Sequence, residues 1–366
     1  MSSKAGHGFH FSRAILLWFH AHKRSLPWRK TRDPYKIWVS EIMLQQTTVG
    51  AVIPYYEKWL KRFPDVRSLS RAPLQKILKA WQGLGYYQRA RNLHRAAKIL
   101  VQEKGGKFPD RYEELRVLPG FGAYTTAAVL SIAFDRPYPV IDANVRRLLM
   151  RIYGIRGEAD AERDKILLNR LIPHFPKQNA GTFNQALMEL GALICKPRNP
   201  ICLLCPVQTS CLAFERGEQE VIPRPKRRTY HKIEAVVAII RKDGKVLLQK
   251  RPPTGLLAGL WEFPGGKKKP GESLKAALAR EIREELGVAL GKARYLMRVR
   301  HSYTQFDVTL HAFEGTLQGE PKLKKNSHRW VGLRSLQSYP FPSGSAKIVK
   351  ALQSPAASRS KPLDRS

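Results

Sequence analysis

Apolar residues recur at helical spacing up to about residue 220 of the chain. The segments that show this spacing are 14–18, 37–43, 125–133, 145–152 and 183–193. A recurrence at three- and four-residue intervals places apolar side chains on one face of a helix. Short breaks that contain glycine or proline separate the segments, and no long alternation of apolar and polar residues lies between them. The pattern therefore predicts an all-α region.

The pattern changes in the last third of the chain, where strands are predicted. Residues 233–241 and 246–250 are rich in strand-forming residues and flank an Asp-Gly pair, which is typical of a hairpin. Between residues 306 and 312, apolar positions alternate with polar ones, as in a strand with one buried face. One helix is predicted at 272–286. These elements predict an α+β fold.

The two patterns divide the 366 residues into four predicted parts. An all-α domain covers 9–222, and an α+β domain covers 233–353. The basic, proline-containing stretch 223–232 is predicted to be a linker, and the tail 354–366 is predicted to be disordered. A chain of this length exceeds what one compact core usually holds, which fits two domains.

Composition indicates a nucleic-acid partner. The chain has 65 Lys and Arg against 29 Asp and Glu, a net charge of +36. Basic side chains gain affinity for nucleic acids because they release counterions from the phosphates. No apolar run approaches the ~20 residues of a membrane span, and the first residues lack the cleavage pattern of a signal peptide. We expect a cytoplasmic monomer, associated with the nucleoid if the source is bacterial.

All four cysteines lie in one short stretch. Cys195, Cys202, Cys205 and Cys211 follow the spacing C-x6-C-x2-C-x5-C. In a reducing compartment such a cluster favours a metal over disulfides. Four thiolates suit zinc or an iron–sulfur cluster, and the residue chemistry alone leaves both open.

A glycine-containing turn at 118–122 precedes an apolar helix. Gly120 and Gly122 let backbone N–H groups approach a phosphate, and the helix N-terminus adds a favourable dipole. Further along, Asp142 stands at the start of another predicted helix, followed by Asn144. Together these features resemble the helix–hairpin–helix and Gly/Pro…Asp motif of base-excision DNA glycosylases. The resemblance implies that the turn binds DNA and that the aspartate takes part in catalysis.

Two carboxylates suit the cleavage of an N-glycosidic bond, which needs an acid for the leaving base and an anion for the sugar cation. Glu41 lies among apolar residues in the stretch 38–47, where burial would raise its pKa and keep it protonated. Asp142, at a helix start, is expected to stay ionised. The stretch around Glu41 resembles the MutY-type adenine DNA glycosylases. That resemblance makes Glu41 the catalytic acid, Asp142 the charge stabiliser and Asn144 the residue that orients it.

Position 124 separates two branches of this superfamily. Bifunctional lyases carry a lysine there, which forms a Schiff base with the sugar. Tyr124 occupies the position in this chain. A phenol can donate a hydrogen bond to the catalytic carboxylates but cannot form an imine, so we predict a monofunctional glycosylase.

Further stretches resemble the MutY type. The resemblance assigns Trp28, Arg29 and Glu189 to the adenine pocket. It assigns Gln46 and Tyr86 to the residues that insert into the base stack when the adenine is flipped out. It also implies that the four cysteines hold a [4Fe–4S] cluster beside the DNA-binding surface.

The stretch 254–264 resembles the start of the Nudix-like domain of MutY-type proteins, which recognises 8-oxoguanine opposite the adenine. These proteins commonly read that base with Phe-Ser-His in a hairpin. Here Tyr303 and Thr304, followed by Gln305, stand at the corresponding positions. The histidine is missing, which weakens the expected preference for 8-oxoguanine.

The helix predicted at 272–286 carries a complete Nudix box. Glu281, Glu284 and Glu285 are spaced i, i+3 and i+4, so they share one helical face on which Mg²⁺ can bind. Either the domain hydrolyses oxidised nucleotides, or the acidic face is retained as a scaffold. Both interpretations remain open.

The sequence thus predicts an all-α helix–hairpin–helix glycosylase domain with an iron–sulfur module, followed by an α+β Nudix-like domain. The predicted activity is removal of adenine mispaired with 8-oxoguanine or guanine in double-stranded DNA. The alternatives are a glycosylase/lyase for pyrimidine lesions, a nucleotide pyrophosphohydrolase tethered to DNA, and a non-catalytic DNA-binding protein. Tyr124 opposes the first, whereas Glu41 and Asp142 oppose the other two.

Overall fold

The structure is a computed structural model that describes residues 5–225, 230–303 and 305–354. Residues 226–229 of the predicted linker and 355–366 of the predicted tail lie outside this described part. The domain boundaries proposed from the sequence stay predictions.

The chain forms two compact units, and each unit is built from two separate segments of the sequence. The first comprises Met1–Arg71 and Asn92–Arg227, and the second comprises Ala72–Arg91 and Arg228–Ser366. A short segment from the helical half of the sequence thus groups with the C-terminal residues.

The described residues before His231 contain helices and no strand, which confirms the all-α prediction. The α-helices there are α1 (Ala5–His22), α2 (Pro34–Leu44), α3 (Val49–Arg62), α4 (Val66–Arg71), α5 (Leu74–Ala80), α6 (Gln88–Lys104), α7 (Tyr112–Arg116), α8 (Ala123–Phe134), α9 (Ala143–Ile152), α10 (Ala161–Leu171), α11 (Ala180–Leu193) and α12 (Leu212–Glu215). Short 3-10 helices lie at Pro27–Lys30, Ile172–His174, Cys202–Leu204 and Gln208–Ser210. Among the described residues, no helix is long and apolar enough to cross a bilayer.

Side-chain caps fix where the helices that carry site residues begin. Asp33 accepts a hydrogen bond from the Tyr35 N–H at 2.9 Å, and Pro34 occupies the first turn of α2. Asp142 caps α9 by accepting from the Val145 N–H at 2.7 Å. A cap of this kind satisfies an N–H group that has no partner within its helix.

Helix α11 packs against both α8 and α9 at close range. A Cβ placed on Gly181 would lie 2.4 Å from the Ser131 carbonyl oxygen on α8. A Cβ on Gly191 would lie 2.8 Å from the Asn144 carbonyl oxygen on α9. Only glycine permits such contact between backbones, so the register of α11 against the start of α9 is fixed.

The second unit contains a mixed sheet. Its strands are β1 (His231–Lys242), β2 (Lys245–Lys250), β3 (Trp261–Glu262), β4 (Gly265–Lys267), β5 (Ala289–Tyr303), β6 (Phe306–Gln318) and β7 (His328–Gly332). The order is β3-β2-β1-β6-β5, with β4 paired to β1 and β7 to β2. Strands β1 and β6 run parallel, and the other pairs are antiparallel. The predicted hairpin and the alternating strand are therefore present.

One helix covers each face of the sheet, and a 3-10 helix spans Leu333–Ser338. Val237 and Ile239 of β1 pack in the cluster that includes α14 (Ser343–Leu352). Their neighbours Val236 and Ala238 pack in the cluster that includes α13 (Leu274–Leu286). Successive residues of a strand point to opposite faces, which explains why β1 is buried on both sides.

Candidate active site

A cavity of about 760 Å³ opens in the first unit. It lies between the Pro27–Lys30 turn with α2, the starts of α8 and α9, and the middle of α11. Its lining includes the four predicted catalytic residues, the three residues assigned to the adenine pocket and Gln46: Glu41, Tyr124, Asp142, Asn144, Trp28, Arg29, Glu189 and Gln46. Residues far apart in the sequence thus meet at one site large enough for a purine base.

Glu41 is buried in the cavity wall, with 5% of its surface exposed. The Tyr124 hydroxyl donates a hydrogen bond to its Oε2 at 2.9 Å. Burial raises the pKa of Glu41 to about 7; the hydrogen bond from Tyr124 and the charge of Arg29 lower it, and the charge of Asp142 raises it. A large part of the Glu41 population is therefore protonated at neutral pH, as its apolar sequence context predicts.

Asp142 is held by donors at the start of α9. Its Oδ1 accepts from the Val145 N–H at 2.7 Å, and its Oδ2 accepts from the Asn144 side-chain amide at 3.2 Å. Burial raises the pKa of Asp142, while these donors and the charge of Arg147 lower it. The helix start stabilises the ionised form of Asp142, as expected. Desolvation has the larger effect, however, so the pKa of Asp142 is raised overall.

The buried Arg147 orients the side chain of Asn144. Arg147 donates to the Asn144 Oδ1 at 3.0 Å and to the carbonyl oxygens of Gly191 and Cys195 at 2.6 and 2.7 Å. The sequence analysis missed Arg147, although a basic residue inside the apolar segment 145–152 was a signal. A buried guanidinium needs such acceptors, because leaving its N–H groups unpaired is costly.

Glu189 joins two arginines in the wall of the cavity. It is 1% exposed and accepts from the Arg24 Nε and Nη2 at 2.9 and 2.6 Å and from both Arg29 Nη atoms at 2.9 Å. Burial acts to raise its pKa, but the hydrogen bonds from Arg24 and Arg29 outweigh burial and lower it to about 2. The sequence analysis missed Arg24, since nothing local indicates a partner 165 positions away.

The two glycines of the predicted DNA-binding turn differ. Gly120 has a φ of 86°, and a Cβ there would lie 3.0 Å from the Asn92 Cβ, so the position requires glycine. Gly122 caps α8 with a φ of −69°, and a Cβ would meet nothing within 4 Å. Only the first glycine is needed for backbone reasons.

Both residues predicted to insert into DNA have left-handed backbones. Gln46 has a φ of 55° and is exposed beside the cavity. Tyr86 has a φ of 46°, is half-buried, and belongs to the second unit. Non-glycine residues rarely adopt this conformation, and it clusters at functional sites.

The four cysteines line a cavity of about 20 Å³. Arg151 donates to the Cys195 Sγ at 3.3 Å. Burial raises the pKa of Cys202, Cys205 and Cys211, that of Cys205 to about 12. The four cysteines thus lie around one small cavity, and Cys195 is next to a guanidinium. In the described residues, however, no three Cys, His, Asp or Glu side chains are arranged to hold a metal ion.

The predicted acidic face of α13 is present and engages an arginine. Arg280 Nη1 donates to Glu281 at 2.7 Å and to Glu284 at 3.2 Å, and Nε donates to Glu272 at 2.6 Å. Arg280 therefore neutralises carboxylates that the sequence assigned to Mg²⁺.

Glu285 has a different environment from the rest of this face. It accepts from the Gln249 side chain and the Gly265 N–H, both at 2.8 Å. Burial raises its pKa to about 7, and the charges of Glu262 and Glu281 add to the rise, whereas the hydrogen bonds oppose it. One carboxyl of the box therefore titrates near neutral pH.

The hairpin predicted to read the opposite base joins β5 and β6. Tyr303 pairs with Phe306 in the sheet register. The Tyr303 side chain and Thr304 lie outside what the structure describes, so their assignment stays a prediction.

Comparisons with known proteins match two families along the chain. Residues 39–174 match the HhH-GPD superfamily of base excision DNA repair proteins, and residues 235–351 match the NUDIX domain. The adenine DNA glycosylase of Buchnera aphidicola subsp. Schizaphis graminum is 40% identical over 259 residues, or 69% of this chain and 74% of the relative. That of the Acyrthosiphon pisum subspecies is 33% identical and covers 93% of this chain and 97% of the relative.

A solved structure of a thermostable thymine-DNA glycosylase is also similar. It has a TM-score of 0.53 and 31% sequence identity, and it covers 58% of this chain and 100% of its own. Fold, cavity and carboxylates define a DNA-binding base excision glycosylase that carries a Nudix domain. The relatives then place it further: the chain belongs to the adenine DNA glycosylase family.

Proposed function

We propose that this protein removes adenine opposite 8-oxoguanine or guanine in duplex DNA by acid-assisted hydrolysis of the N-glycosidic bond, after flipping the adenine out. The observation that carries the proposal is the buried Glu41 carboxyl, whose pKa of about 7 makes it an acid at neutral pH. It lies in a purine-sized cavity together with Asp142.

The two carboxyl groups divide the chemistry between them. Protonated Glu41 delivers its proton to the leaving adenine, which then departs as a neutral base. The carboxylate of Asp142 stabilises the positive charge that develops on the sugar. Asn144 and Arg147 keep that carboxylate in place, since Arg147 holds the amide that donates to it. A water molecule then forms a bond to the sugar cation, and the proton that it loses restores the protonated Glu41.

The cavity favours a monofunctional enzyme. Tyr124 occupies the position of the lyase lysine, and no lysine is among the described residues that line the cavity. Burial and the nearby carboxylates raise the pKa of Tyr124 well above its usual value. Tyr124 therefore stays a neutral hydrogen-bond donor and forms no imine with the sugar.

The test is single-turnover cleavage of duplexes with adenine opposite 8-oxoguanine, adenine opposite guanine, or thymine glycol. We expect free adenine from the first two and an abasic site that breaks only after alkali. Glu41→Gln and Asp142→Asn should each abolish release while DNA is still bound. Glu57→Gln, an exposed glutamate on α3, is the matched control and should keep full activity. Efficient borohydride trapping of the wild type would contradict the proposal, because it reports a Schiff base.

We further propose that the four cysteines hold a [4Fe–4S] cluster. Their sulfurs line one cavity beside Arg151, and soft thiolates suit this cluster. When bound, the cluster supplies structural organisation of the loop between α11 and α12. Protein isolated without oxygen should contain about four irons per chain, and Cys202→Ser should lower solubility and DNA affinity together. Stoichiometric zinc in a colourless, active protein would refute the cluster.

For the Nudix domain, we propose recognition of the base opposite the adenine through Tyr303 and Thr304. Tyr303→Ala should then reduce the preference for 8-oxoguanine over guanine in single-turnover rates. An unchanged ratio of the two rates would remove Tyr303 from this role.

A second candidate function of this domain is hydrolysis of oxidised purine nucleoside triphosphates. It is favoured by the three carboxyl groups on one face of α13, where Glu285 also accepts a hydrogen bond from the Gly265 N–H at 2.8 Å. Glu281, Glu284 and Glu285 would hold Mg²⁺ in place of Arg280, and the ion would neutralise the phosphates. With 8-oxo-dGTP and Mg²⁺, pyrophosphate release that disappears in Glu284→Gln supports this activity. No turnover across Nudix substrates leaves recognition alone.

A further inference from the structure

The loop Gly83–Tyr87, called here the Tyr86 loop, contains one residue in an unfavourable backbone conformation. Gly83, Gly85 and Tyr86 have φ values of 109°, 70° and 46°. Glycine adopts such angles without cost, but a residue with a Cβ does not. The backbone conformation of Tyr86 is therefore not one that the residue prefers, and surrounding contacts must fix it.

Two flanking side chains support the loop locally. The Trp81 indole donates to the Gly85 carbonyl oxygen at 2.9 Å. Arg89, 9% exposed, donates to the Leu84 and Gly85 carbonyl oxygens at 2.9 and 3.2 Å. Its guanidinium also lies 5.5 Å from the centre of the Tyr86 ring and 5.2 Å from that of Trp81. A planar cation on an aromatic face is favourable, so these contacts orient the ring.

The C-terminal segment 339–341 supplies a second support. The Tyr87 hydroxyl donates to the Phe341 carbonyl oxygen at 3.0 Å, in a buried position. The Phe341 N–H donates to the Gln82 Oε1 at 3.4 Å, and Lys79 donates to the Tyr339 carbonyl oxygen at 3.2 Å. The adjacent tyrosines thus differ: Tyr87 is 3% exposed and anchored, whereas Tyr86 is half-buried.

The segment 339–341 is itself fixed in the core of the second unit. Phe341 is 1% exposed and stacks on Phe263 with 6.0 Å between ring centres. The backbone N–H of Trp261 donates to the Pro340 carbonyl oxygen at 2.9 Å. The Trp261 ring packs edge-on against the Tyr339 ring. Because packed cores deform little, Phe341 holds the Tyr87 hydroxyl at a defined position.

We infer that the Tyr87–Phe341 contact positions the Tyr86 loop for insertion into DNA, with Tyr87 as a positioning residue. The residues around Phe341 thereby support base flipping, separately from any reading of the opposite base. This inference rests on the proposed function only in assuming that Tyr86 enters the base stack. It requires that loss of the Tyr87–Phe341 hydrogen bond reduce excision opposite 8-oxoguanine and opposite guanine by the same factor.

Tyr87→Phe tests the contact because it removes the hydroxyl and keeps the ring. Backbone amides of residues 83–89 in the free protein should exchange hydrogen faster than in the wild type. Single-turnover excision should fall by about fivefold, the effect of one lost hydrogen bond. The factor should be the same opposite 8-oxoguanine and guanine. Fluorescence of 2-aminopurine in place of the adenine should report less flipping.

Two further variants decide whether Tyr87 acts through Tyr86. In a Tyr86→Ala background, Tyr87→Phe should cause no additional loss of excision, and an additive loss would overturn the inference. Tyr153→Phe removes a similar bond to the Arg170 carbonyl oxygen, of 3.1 Å, in the first unit, and should change neither readout. Unchanged exchange in Tyr87→Phe would also overturn the inference. If the wild type releases no adenine, the proposed function fails, while the exchange measurement still judges the contact.

Discussion

The carboxyl group of Glu41 has neighbours that act on its pKa in opposite directions. Burial and the charge of Asp142 raise it, whereas the Tyr124 hydroxyl and Arg29 lower it. The outcome near 7 depends on this balance. An acid with a pKa near the working pH is protonated often enough to act and still gives up its proton readily.

The pH dependence of excision should therefore shift in Tyr124→Phe. Excision needs protonated Glu41, so the wild-type single-turnover rate should fall as the pH rises through about 7. Tyr124 stabilises the carboxylate by donating to it, so its loss raises the pKa of Glu41 and moves the fall to higher pH. Rates at saturating enzyme between about pH 5.5 and 9 measure this.

Tyr112→Phe, on α7 outside the cavity lining, is the matched control and should leave the profile unchanged. A shift of the Tyr124→Phe profile to lower pH would mean that the hydroxyl does not stabilise the carboxylate.

Residue chemistry was predictable from the sequence where its cause is local. The apolar neighbours of Glu41 indicate burial, and the helix start at Asp142 indicates capping, and both are observed. The Glu189–Arg24 pair was not predictable, because its strength comes from two residues 165 positions apart. The upward pKa shift of Asp142 likewise depends on burial by distant elements.

At the scale of elements, the start of α9 depends on how closely α11 approaches it. Arg147 reaches the Gly191 carbonyl oxygen at 2.6 Å, and Gly191 has no side chain to keep the helices apart. The position of Asp142 is thus set by a helix contact. The helical spacing predicted these helices, but it could not predict which faces would touch.

Gly191→Ala should impair catalysis more than folding. The added Cβ would lie 2.8 Å from the Asn144 Cβ and carbonyl oxygen, so α11 or the start of α9 must shift. A displacement near 1 Å at a catalytic group can cost about 100-fold in rate. Single-turnover excision measures the loss, and thermal melting shows that the protein remains folded.

Gly50→Ala is the control on another helix, α3, where an added Cβ meets nothing within 4 Å. It should keep the rate, and it should raise stability slightly because alanine favours helix over glycine. Equal rates for the two variants would show that the α9–α11 contact does not position Asp142.

At the scale of the whole molecule, we expect the net charge of +36 to attract DNA strongly. Individual basic residues differ in whether their charge is already paired with an acidic side chain of the protein. Arg146, near the start of α9, pairs with Asp164, and Arg227 lies outside the described residues. The prediction therefore concerns the sum of charges.

Affinity for duplex DNA should fall steeply with salt. A protein that makes 6–10 phosphate contacts loses roughly 10³- to 10⁵-fold between 50 and 200 mM salt. Fluorescence anisotropy at several salt concentrations gives the slope of log affinity against log salt. A slope near zero would contradict a phosphate-dominated interface, and a neutral polymer at equal osmolarity controls for solvent effects.

The Tyr86 loop and Phe341, whose carbonyl oxygen Tyr87 binds, are also synthesised at different times. Phe341 follows Tyr87 by 254 positions, and ribosomes add about 5–20 residues per second. The loop thus leaves the ribosome tens of seconds before the carbonyl that Tyr87 binds exists. Once residue 192 has been made, the nascent chain has the residues that line the cavity, but its loop has only the local supports from Trp81 and Arg89. We therefore expect that a chain interrupted before Phe341 binds DNA but excises adenine from it inefficiently.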